Sequence, residues 1–298
     1  MHTTTTPNRT LLIGSLQVIM AGICWGTLGI FSTQLGRLGL DSFAITTLRI
    51  VTAGMMVLVL LPSLYRTFLT MRAKEWLSLI VQSLIGVLGM TLCYFYAVSQ
   101  VGVSMAVALL YTAPVFSLVL AKLILGEQIS LKSALLAIVA VIGVACLMAG
   151  DTFSLNMGVA VGLLSGLCYS LYGILGKKAM SFNHSTQMVF FSSVAFSAIA
   201  LLFLPQTFAT YQTVLTLPMQ AWVYVIGLSL VGTIAPFFLY MTALNKLPAT
   251  TASVFTIIEP LTAIILAIVL LGQPLLPLQM IGVALIIGAT LANALIHR

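Results

Sequence analysis

Long apolar runs separated by short polar breaks fill almost the whole chain. Each run holds about 20 residues, the length that an α-helix needs to cross a bilayer. The runs are continuous, whereas the strands of a membrane β-barrel alternate between apolar and polar positions. The pattern therefore predicts ten membrane-spanning helices, at 11–35, 41–62, 76–98, 102–124, 131–149, 157–176, 186–204, 219–243, 248–271 and 277–296.

Composition excludes a water-soluble protein. Of the 298 residues, 61% are hydrophobic and only 6% are charged, whereas a soluble domain carries roughly 25% charged residues. The net charge of +7 comes from basic residues that stand apart between apolar runs, so they form no nucleic-acid-binding patch. We predict an all-α integral membrane protein whose partners are the lipid bilayer and a small-molecule substrate, with no nucleic acid.

The basic residues also indicate how the chain is oriented. An even number of spans puts both termini on one side of the membrane. If that side is the cytoplasm, ten of the twelve Lys and Arg lie on or near it, as the positive-inside rule requires. We predict a multi-pass protein of the inner or plasma membrane, with residues 1–10 as a cytoplasmic tail. The first apolar run is too long for a signal peptide.

The two halves of the chain repeat each other. The segment IMAGICWGTLGIFSTQL at 19–35 resembles LLSGLCYSLYGILGKKA at 163–179, and Ala113-Pro114 aligns with Glu259-Pro260. Because each half holds five spans, an odd number, the second half enters the membrane from the opposite side. We predict two inverted five-helix repeats, at 11–150 and 157–296. Inverted repeats are typical of secondary transporters, although duplication also builds channels.

Several short motifs recur in order in both halves. The first half has Gly22-x-x-Trp25-Gly26, then Thr47-Leu48-Arg49, and then a stretch from Ala106 to Pro114 followed by Leu125-Gly126-Glu127. The second half has Ala252 to Glu259-Pro260, followed by Leu271-Gly272-Gln273. With these motifs the chain resembles the drug/metabolite transporter superfamily, in its ten-span EamA type. Gln273 departs from the Glu that the family commonly has there.

The resemblance implies a central cavity lined by spans one to four and six to nine, with spans five and ten at the periphery. Three alternatives for the function stay open. The chain is a transporter, an uncoupled facilitator or channel, or a membrane-embedded scaffold or sensor without transport. We favour a secondary transporter that works by alternating access. On the resemblance alone, the favoured substrate is an amino acid or related metabolite, moved outward.

Two charged residues fall deep inside predicted spans, where an ion is costly and therefore usually functional. Glu259 lies about eleven residues into span nine, roughly 16 Å deep at 1.5 Å per residue. Arg49 lies within span two and can pair with Glu259, bind a substrate carboxylate or extend towards the interface. Glu259 can pair with Arg49 or couple transport to protons. Pro114 and Pro260 occupy matching places and predict helix kinks at mid-membrane.

Aromatic side chains near small residues predict the wall of the cavity. Gly22, Trp25, Gly26 and Gly29 share a helical stripe, which Gly166, Tyr169 and Gly173 repeat. Small residues allow close helix contact, and a ring beside them can line a cavity. Packing alone is the competing interpretation for each ring. The remaining candidates for the cavity wall are Tyr94, Tyr111, Tyr172, Thr233, Phe237 and Tyr240.

Other chemistry finds little support in the sequence. The four cysteines lie inside spans with no close pair, and the three histidines lie outside the spans. They suggest neither a metal site nor a nucleophile with its base, and no nucleotide-binding motif is present. We therefore expect no metal, no cofactor and no enzymatic activity. A monomer is favoured over a homodimer, with the small-residue ridge of Ala284, Gly288 and Ala292 expected to pack against span five.

The predicted orientation can be tested by labelling. A cysteine placed at position 2 or position 297 should react with an impermeant maleimide only after the membrane is opened, because both termini are expected in the cytoplasm. Labelling of either position on intact cells would contradict the orientation.

Overall fold

The computed structural model describes residues 7–128, 130–147, 157–182, 184–256, 258–271 and 276–296. Within these ranges the chain is mostly helical and contains no strand. The helices of the first half are α1 Pro7–Gly26, α2 Leu28–Arg37, α3 Ser42–Val57, α4 Leu61–Thr70, α5 Ala73–Val81, α6 Met90–Leu110, α7 Ala113–Leu120 and α8 Leu131–Leu147. Those of the second half are α9 Met157–Met180, α10 Thr186–Leu202, α11 Pro205–Leu215, α12 Met219–Ser229, α13 Ala235–Leu244, α14 Ala249–Phe255, α15 Ile258–Leu271 and α16 Pro277–Ile296.

Several of these helices continue into one another and together form the predicted spans. A 3₁₀ turn joins α3 to α4, and π-helical segments join α5 to α6 and α12 to α13. Within the described residues, five helical stretches are long and apolar enough to cross a membrane by themselves. They are Arg9–Arg37, Ser42–Thr70, Ala73–Ala97, Met157–Met180 and Met219–Leu244. Shorter apolar helices at Ala113–Leu125 and Leu131–Gly143 lie in predicted spans four and five.

Span seven is followed by a helix that the sequence pattern missed. The chain bends by 92° between α10 and α11. Leu204 is extended at the bend, with φ −89° and ψ 125°, because a residue before proline is disfavoured in the helical region. Helix α11 was not predicted because its Thr and Gln residues interrupt the apolar run. Its Tyr211 hydroxyl lies 2.9 Å from the Thr52 hydroxyl of α3.

Helix α6 extends across the turn that was expected near Gln100. The chain nevertheless reverses there, as its contacts with α9 show. Gly86 and Gly89 meet Tyr172 and Cys168, so this part of the chain runs antiparallel to α9. Leu109 meets Gly162 and Ser117 bonds to Ser170 at 3.0 Å, so the later part runs parallel to α9. The predicted pair of antiparallel spans is therefore present, although the helical bounds do not mark the turn.

The helix contacts obey the predicted inverted repeat. Helix α1 packs on α13 and α15, and its counterpart α9 packs on α6 and α7. Helix α3 packs on its counterpart α10, and α8 packs on its counterpart α16. Each of these contacts therefore either has a counterpart in the other half or joins two helices that are counterparts of each other. The fold is a ten-helix membrane bundle of two inverted repeats, with α8 and α16 paired with each other.

Glycines set the spacing of the central helices. Gly22 in α1 abuts Ile258 and the Glu259 backbone, where an added Cβ would lie 2.0 Å from Ile258 Cγ2. Its repeat counterpart Gly166 in α9 abuts Thr112 and the carbonyl of Leu109, at 2.6 Å and 2.8 Å from an added Cβ. A side chain larger than hydrogen would push these helices apart, so the small-residue stripes are contact surfaces between spans.

The small-residue ridge of α16 does not serve that purpose, and our expectation for it was wrong. Gly288 and Ala284 are exposed, and an added Cβ at Gly288 would meet nothing within 4 Å. Helix α16 faces α8 instead through the next position, where Ala289 is buried with Ala137 and Ala140. Alanine on both helices allows the close contact that the ridge was expected to supply. The four-residue spacing identified small residues that share one face of α16, but that face does not contact α8.

Replacing Gly166 with alanine should destabilise the fold, because the new Cβ would collide with backbone carbonyls that cannot move aside. Overpacking of this kind costs about 1–3 kcal/mol, and the measurement is thermal unfolding in detergent. The matched control is Gly29→Ala in the same repeated stripe, where an added Cβ meets nothing within 4 Å. Equal unfolding temperatures for the two variants would contradict the role of Gly166.

Candidate functional site

A cavity of about 500 Å³ lies between the two halves and opens at the turn between spans one and two. Its mouth is formed by the end of α2 and the start of α3, and its inner end reaches the middle of the spans. Eight of the twelve residues singled out from the sequence line it: Trp25, Arg49, Tyr94, Tyr111, Tyr169, Phe237, Glu259 and Pro260. Tyr172, Thr233, Tyr240 and Pro114 do not.

Arg49 is held in the wall of the cavity by α3. Asp41 begins this helix, and its side chain accepts a hydrogen bond from the Ala44 amide at 2.7 Å, a typical N-cap. The Arg49 side chain is only 7% exposed, and its Nε has no hydrogen-bond partner. A buried donor without a partner costs free energy, so this guanidinium is prepared to bind a ligand group.

Glu259 is placed in the cavity by a break in span nine. Helix α14 ends at Phe255 and α15 begins at Ile258, so Glu259 and Pro260 lie in the first turn of a new helix. Proline is tolerated there because its missing N–H has no helical partner to lose. Span four breaks in the same way, between the end of α6 and the start of α7, where Pro114 follows. The two breaks are repeat counterparts and lie on either side of α9.

Arg49 and Glu259 share the cavity and attract each other. They form no direct pair, since the only ion pair with N···O within 4.0 Å in the described part of the chain joins Lys177 to Glu127. The Tyr111 hydroxyl faces the Glu259 carboxyl but reaches hydrogen-bond geometry with no group. The inner part of the cavity thus holds the Arg49 guanidinium, the Glu259 carboxyl group and the Tyr111 hydroxyl, whose hydrogen bonds are still available.

Five aromatic rings close the inner end of the cavity, and we call them the aromatic floor. Trp25 is central, with its ring centroid 6.0 Å from that of Tyr169, 5.6 Å from Phe237 and 5.7 Å from Tyr240. Tyr172 stacks on Tyr240 at 5.6 Å. Tyr172 and Tyr240 lie behind the other rings, so they support the floor without lining the cavity. Thr233 is fully buried and bonds to the Leu228 carbonyl at 3.3 Å.

The sequence analysis missed the residues of the mouth. Ser32, Thr33, Asp41 and Ser42 line the cavity, but in the sequence they read as the polar end of a span. The sequence signal that could have found them is that polar residues begin before the end of the predicted span.

A second correction concerns the cysteines. Cys93 and Cys168 are far apart in sequence, yet their thiols lie close enough across α6 and α9 to interact.

A ten-helix inverted-repeat bundle whose interior cavity holds an arginine and a glutamate is typical of a membrane transporter. A model of the EamA-like transporter family matches residues 12–149 and 156–295. The chain therefore belongs to the EamA-like transporter family, in the drug/metabolite transporter superfamily.

Named relatives agree with this assignment. An uncharacterized transporter of Archaeoglobus fulgidus is 28% identical over 283 residues, which cover 95% of this chain and 97% of the relative. The threonine/homoserine exporter RhtA of Escherichia coli is 25% identical over 217 residues, which cover 70% of this chain and 68% of RhtA. One solved crystal structure shares the fold, with a TM-score of 0.76 over 95% of this chain and 96% of its own length, at 17% identity.

Removing the Tyr111 hydroxyl should weaken substrate binding without harming the fold. Tyr111 lines the cavity beside Glu259, and one net hydrogen bond stabilises by about 0.5–1.5 kcal/mol. The affinity of Tyr111→Phe for the transported substrate, measured by equilibrium binding, should fall by roughly threefold to tenfold.

The matched control is Tyr172→Phe, which removes an equally buried and unpartnered hydroxyl from the part of the aromatic floor that does not line the cavity. Its affinity should stay at the wild-type value. Equal losses of affinity in the two variants would show that these hydroxyls act only through packing.

Proposed function

We propose that this transporter exports an amino acid or a closely related metabolite across the inner or plasma membrane by alternating access. The observation that carries the proposal is the cavity that opens on one side and holds Arg49 and Glu259 unpaired with each other. Its volume of about 500 Å³ suits a small organic solute, since ligand pockets measure roughly 300–1,000 Å³.

Arg49 is proposed to bind the substrate carboxylate. Its planar guanidinium can donate two parallel hydrogen bonds to a carboxylate, and such charge-assisted pairs are strong. Arg49, Tyr111 and Tyr169 are each at most 7% exposed, so these groups are largely shielded from bulk water. Electrostatic attraction is stronger in such surroundings than in water. A substrate carboxylate would also satisfy the unpartnered Nε.

Glu259 is proposed to receive the ammonium group of the substrate, a proton, or each in turn. In alternating access the cavity opens first to one side of the membrane and then to the other. The Glu259 carboxylate can therefore bind a proton in one state and release it in the other. Proton coupling would then use the membrane potential, worth roughly 2.3 kcal/mol per charge per 100 mV. The name of the relative RhtA supports amino acids as the substrate class.

The proposed orientation assigns the cavity mouth to one side of the membrane. The mouth lies at the turn between spans one and two, on the opposite side of the membrane from the N-terminus. With both termini in the cytoplasm, as the charge distribution favours, the mouth faces outward. This conformation corresponds to the release step of an exporter, because substrate leaves the cavity towards the outside while the floor closes the inner path.

Purified protein in liposomes should catalyse saturable counterflow of L-threonine or L-homoserine, which is a property of a carrier. In Glu259→Gln, accumulation driven by a pH gradient should be lost and counterflow should remain, because exchange needs no net proton movement. The measurement is uptake of radiolabelled substrate with and without the gradient.

Arg49→Lys serves as the companion variant. It keeps the charge but loses the planar fork, so the affinity for L-threonine should fall at least tenfold. The affinity for 1-amino-2-propanol, which lacks the carboxylate, should change little. Retained gradient-driven accumulation in Glu259→Gln would exclude proton coupling. Flux that does not saturate would favour a channel, and absence of flux would favour a scaffold.

A further inference from the structure

We propose that Glu127, Lys177 and the turn 245–250 form a latch that holds the inner side of the transporter closed. The inference rests on the alternating-access part of the proposed function and not on the identity of the substrate. We call this set of groups the inner latch. It lies on the side of the membrane opposite the cavity mouth, and its opening would give the cavity a second exit.

The centre of the latch is an ion pair between spans four and six. Lys177, in the last turn of α9, donates to Glu127 Oε1 at 2.9 Å and to the Leu247 carbonyl at 2.9 Å. The pair is mostly sheltered, with the Lys and Glu side chains 28% and 17% exposed. Sheltered charge-assisted bonds are stronger than exposed ones, so this pair can restrain the two spans.

Glu127 also fastens the start of span nine. Its Oε1 accepts from the Ala249 amide at 3.1 Å, and its Oε2 accepts from the Thr250 hydroxyl at 3.4 Å. The Ala249 amide belongs to the first turn of α14, where N–H groups have no helical partner. A single carboxylate thus joins the end of span four to the end of span six and the beginning of span nine.

The same turn reaches two further spans. Lys246 Nζ donates to Gln17 Oε1 of α1 at 2.8 Å. The Asn245 side-chain amide bonds to the Thr186 hydroxyl at the start of α10. The turn 245–250 therefore contacts spans one, four, six and seven through polar groups. These spans cannot separate on this side unless the bonds break.

The aromatic floor and the latch are stacked on one path. Beyond the floor, α9 continues from Tyr172 to Lys177, and α13 continues from Tyr240 to the turn 245–250. Tyr240 is near enough to Glu127 to interact with its charge. Movement of α13 that opens the latch would therefore also displace a ring of the floor. The two closures are coupled because they share α9 and α13.

The inverted repeat predicts an equivalent set of groups at the mouth, and there the charges are missing. The counterpart of Lys177 is Thr33, at the offset of 144 that relates Gly22 to Gly166. The counterpart of Glu127 is Gln273, at the offset of 146 that relates Pro114 to Pro260. Gln273 lies outside the described residues, but neither residue type carries a charge. Between these two repeat-related positions an ion pair can form on the inner side alone, which favours the conformation with the inner side closed.

Accessibility of Ser170 should report whether the latch is closed. Ser170 lies on α9 at the level of the aromatic floor, about two helical turns from Lys177, where its hydroxyl meets Ser117 of α7 at 3.0 Å and is buried. In a background without the four native cysteines, Ser170→Cys preserves the size of this side chain. An impermeant maleimide is applied from each side of reconstituted vesicles. Adding Glu127→Gln should raise the labelling rate from the Lys177 side about tenfold, since it removes charge-assisted hydrogen bonds of the inner latch.

Lys178→Gln is the matched control, because Lys178 is exposed beside Lys177. This substitution removes one positive charge, as Lys177→Gln does, but leaves the inner latch intact. Its labelling rate should equal that of the parent. Lys177→Gln should reproduce Glu127→Gln, and the double variant should add little, because both substitutions break one pair. If Glu127→Gln fails to fold, Lys177→Gln carries the test alone.

Unchanged labelling in a folded latch variant would overturn the proposal, as would an equal rise in Lys178→Gln. The assay needs no substrate. A latch that responds while L-threonine is not transported would therefore retain this inference and remove the proposed substrate.

Discussion

Lipid cannot solvate a charge or an unpaired backbone group, and this constraint organises the whole molecule. It requires that the backbone bond to itself, so the described spans are helices. It also requires that buried ions turn away from lipid. Arg49 and Glu259 meet this requirement by facing one interior cavity. Apolar side chains such as Val59, Leu123 and Val269, which are 78%, 74% and 70% exposed, cover the outer surface where acyl chains replace water.

Duplication supplies the architecture, and departures from its symmetry supply the function. The contacts of α1 with α13 and α15 are repeated by those of α9 with α6 and α7. Glycine permits the closest of these contacts in both halves. The charges do not follow the repeat: Ala113 stands opposite Glu259, and Gln273 stands opposite Glu127. A scaffold with two equivalent halves therefore carries a polar cavity and an inner ion pair that are each present once.

The breaks in spans four and nine show how local sequence places the site. Each break lies just before a proline, so that the proline starts a new helix instead of distorting an old one. One break exposes Tyr111 and the other exposes Glu259 to the same cavity. The chemistry of the site thus depends on two short interruptions that a continuous helix would not provide.

The sequence by itself determined the class of fold, the inverted repeat and eight of the residues that line the cavity. The length of a hydrophobic run is a local property of the sequence, so it can be read without the structure. A charged side chain inside an apolar run must face a cavity, a partner or the interface, because lipid does not solvate it. Arg49 and Glu259 could be singled out for this reason, and Trp25 could be singled out from the glycines that share its helical stripe. Only the tertiary structure decided which face of a helix meets which neighbour. Tyr240 proved to support the floor instead of lining the cavity, and Gly288 faced away from α8. The bend before α11, the nearness of Cys93 to Cys168, and the inner latch likewise depend on contacts between residues far apart in the chain. Periodicity along one helix records which residues share a face, but the direction of that face is set by packing against the other helices.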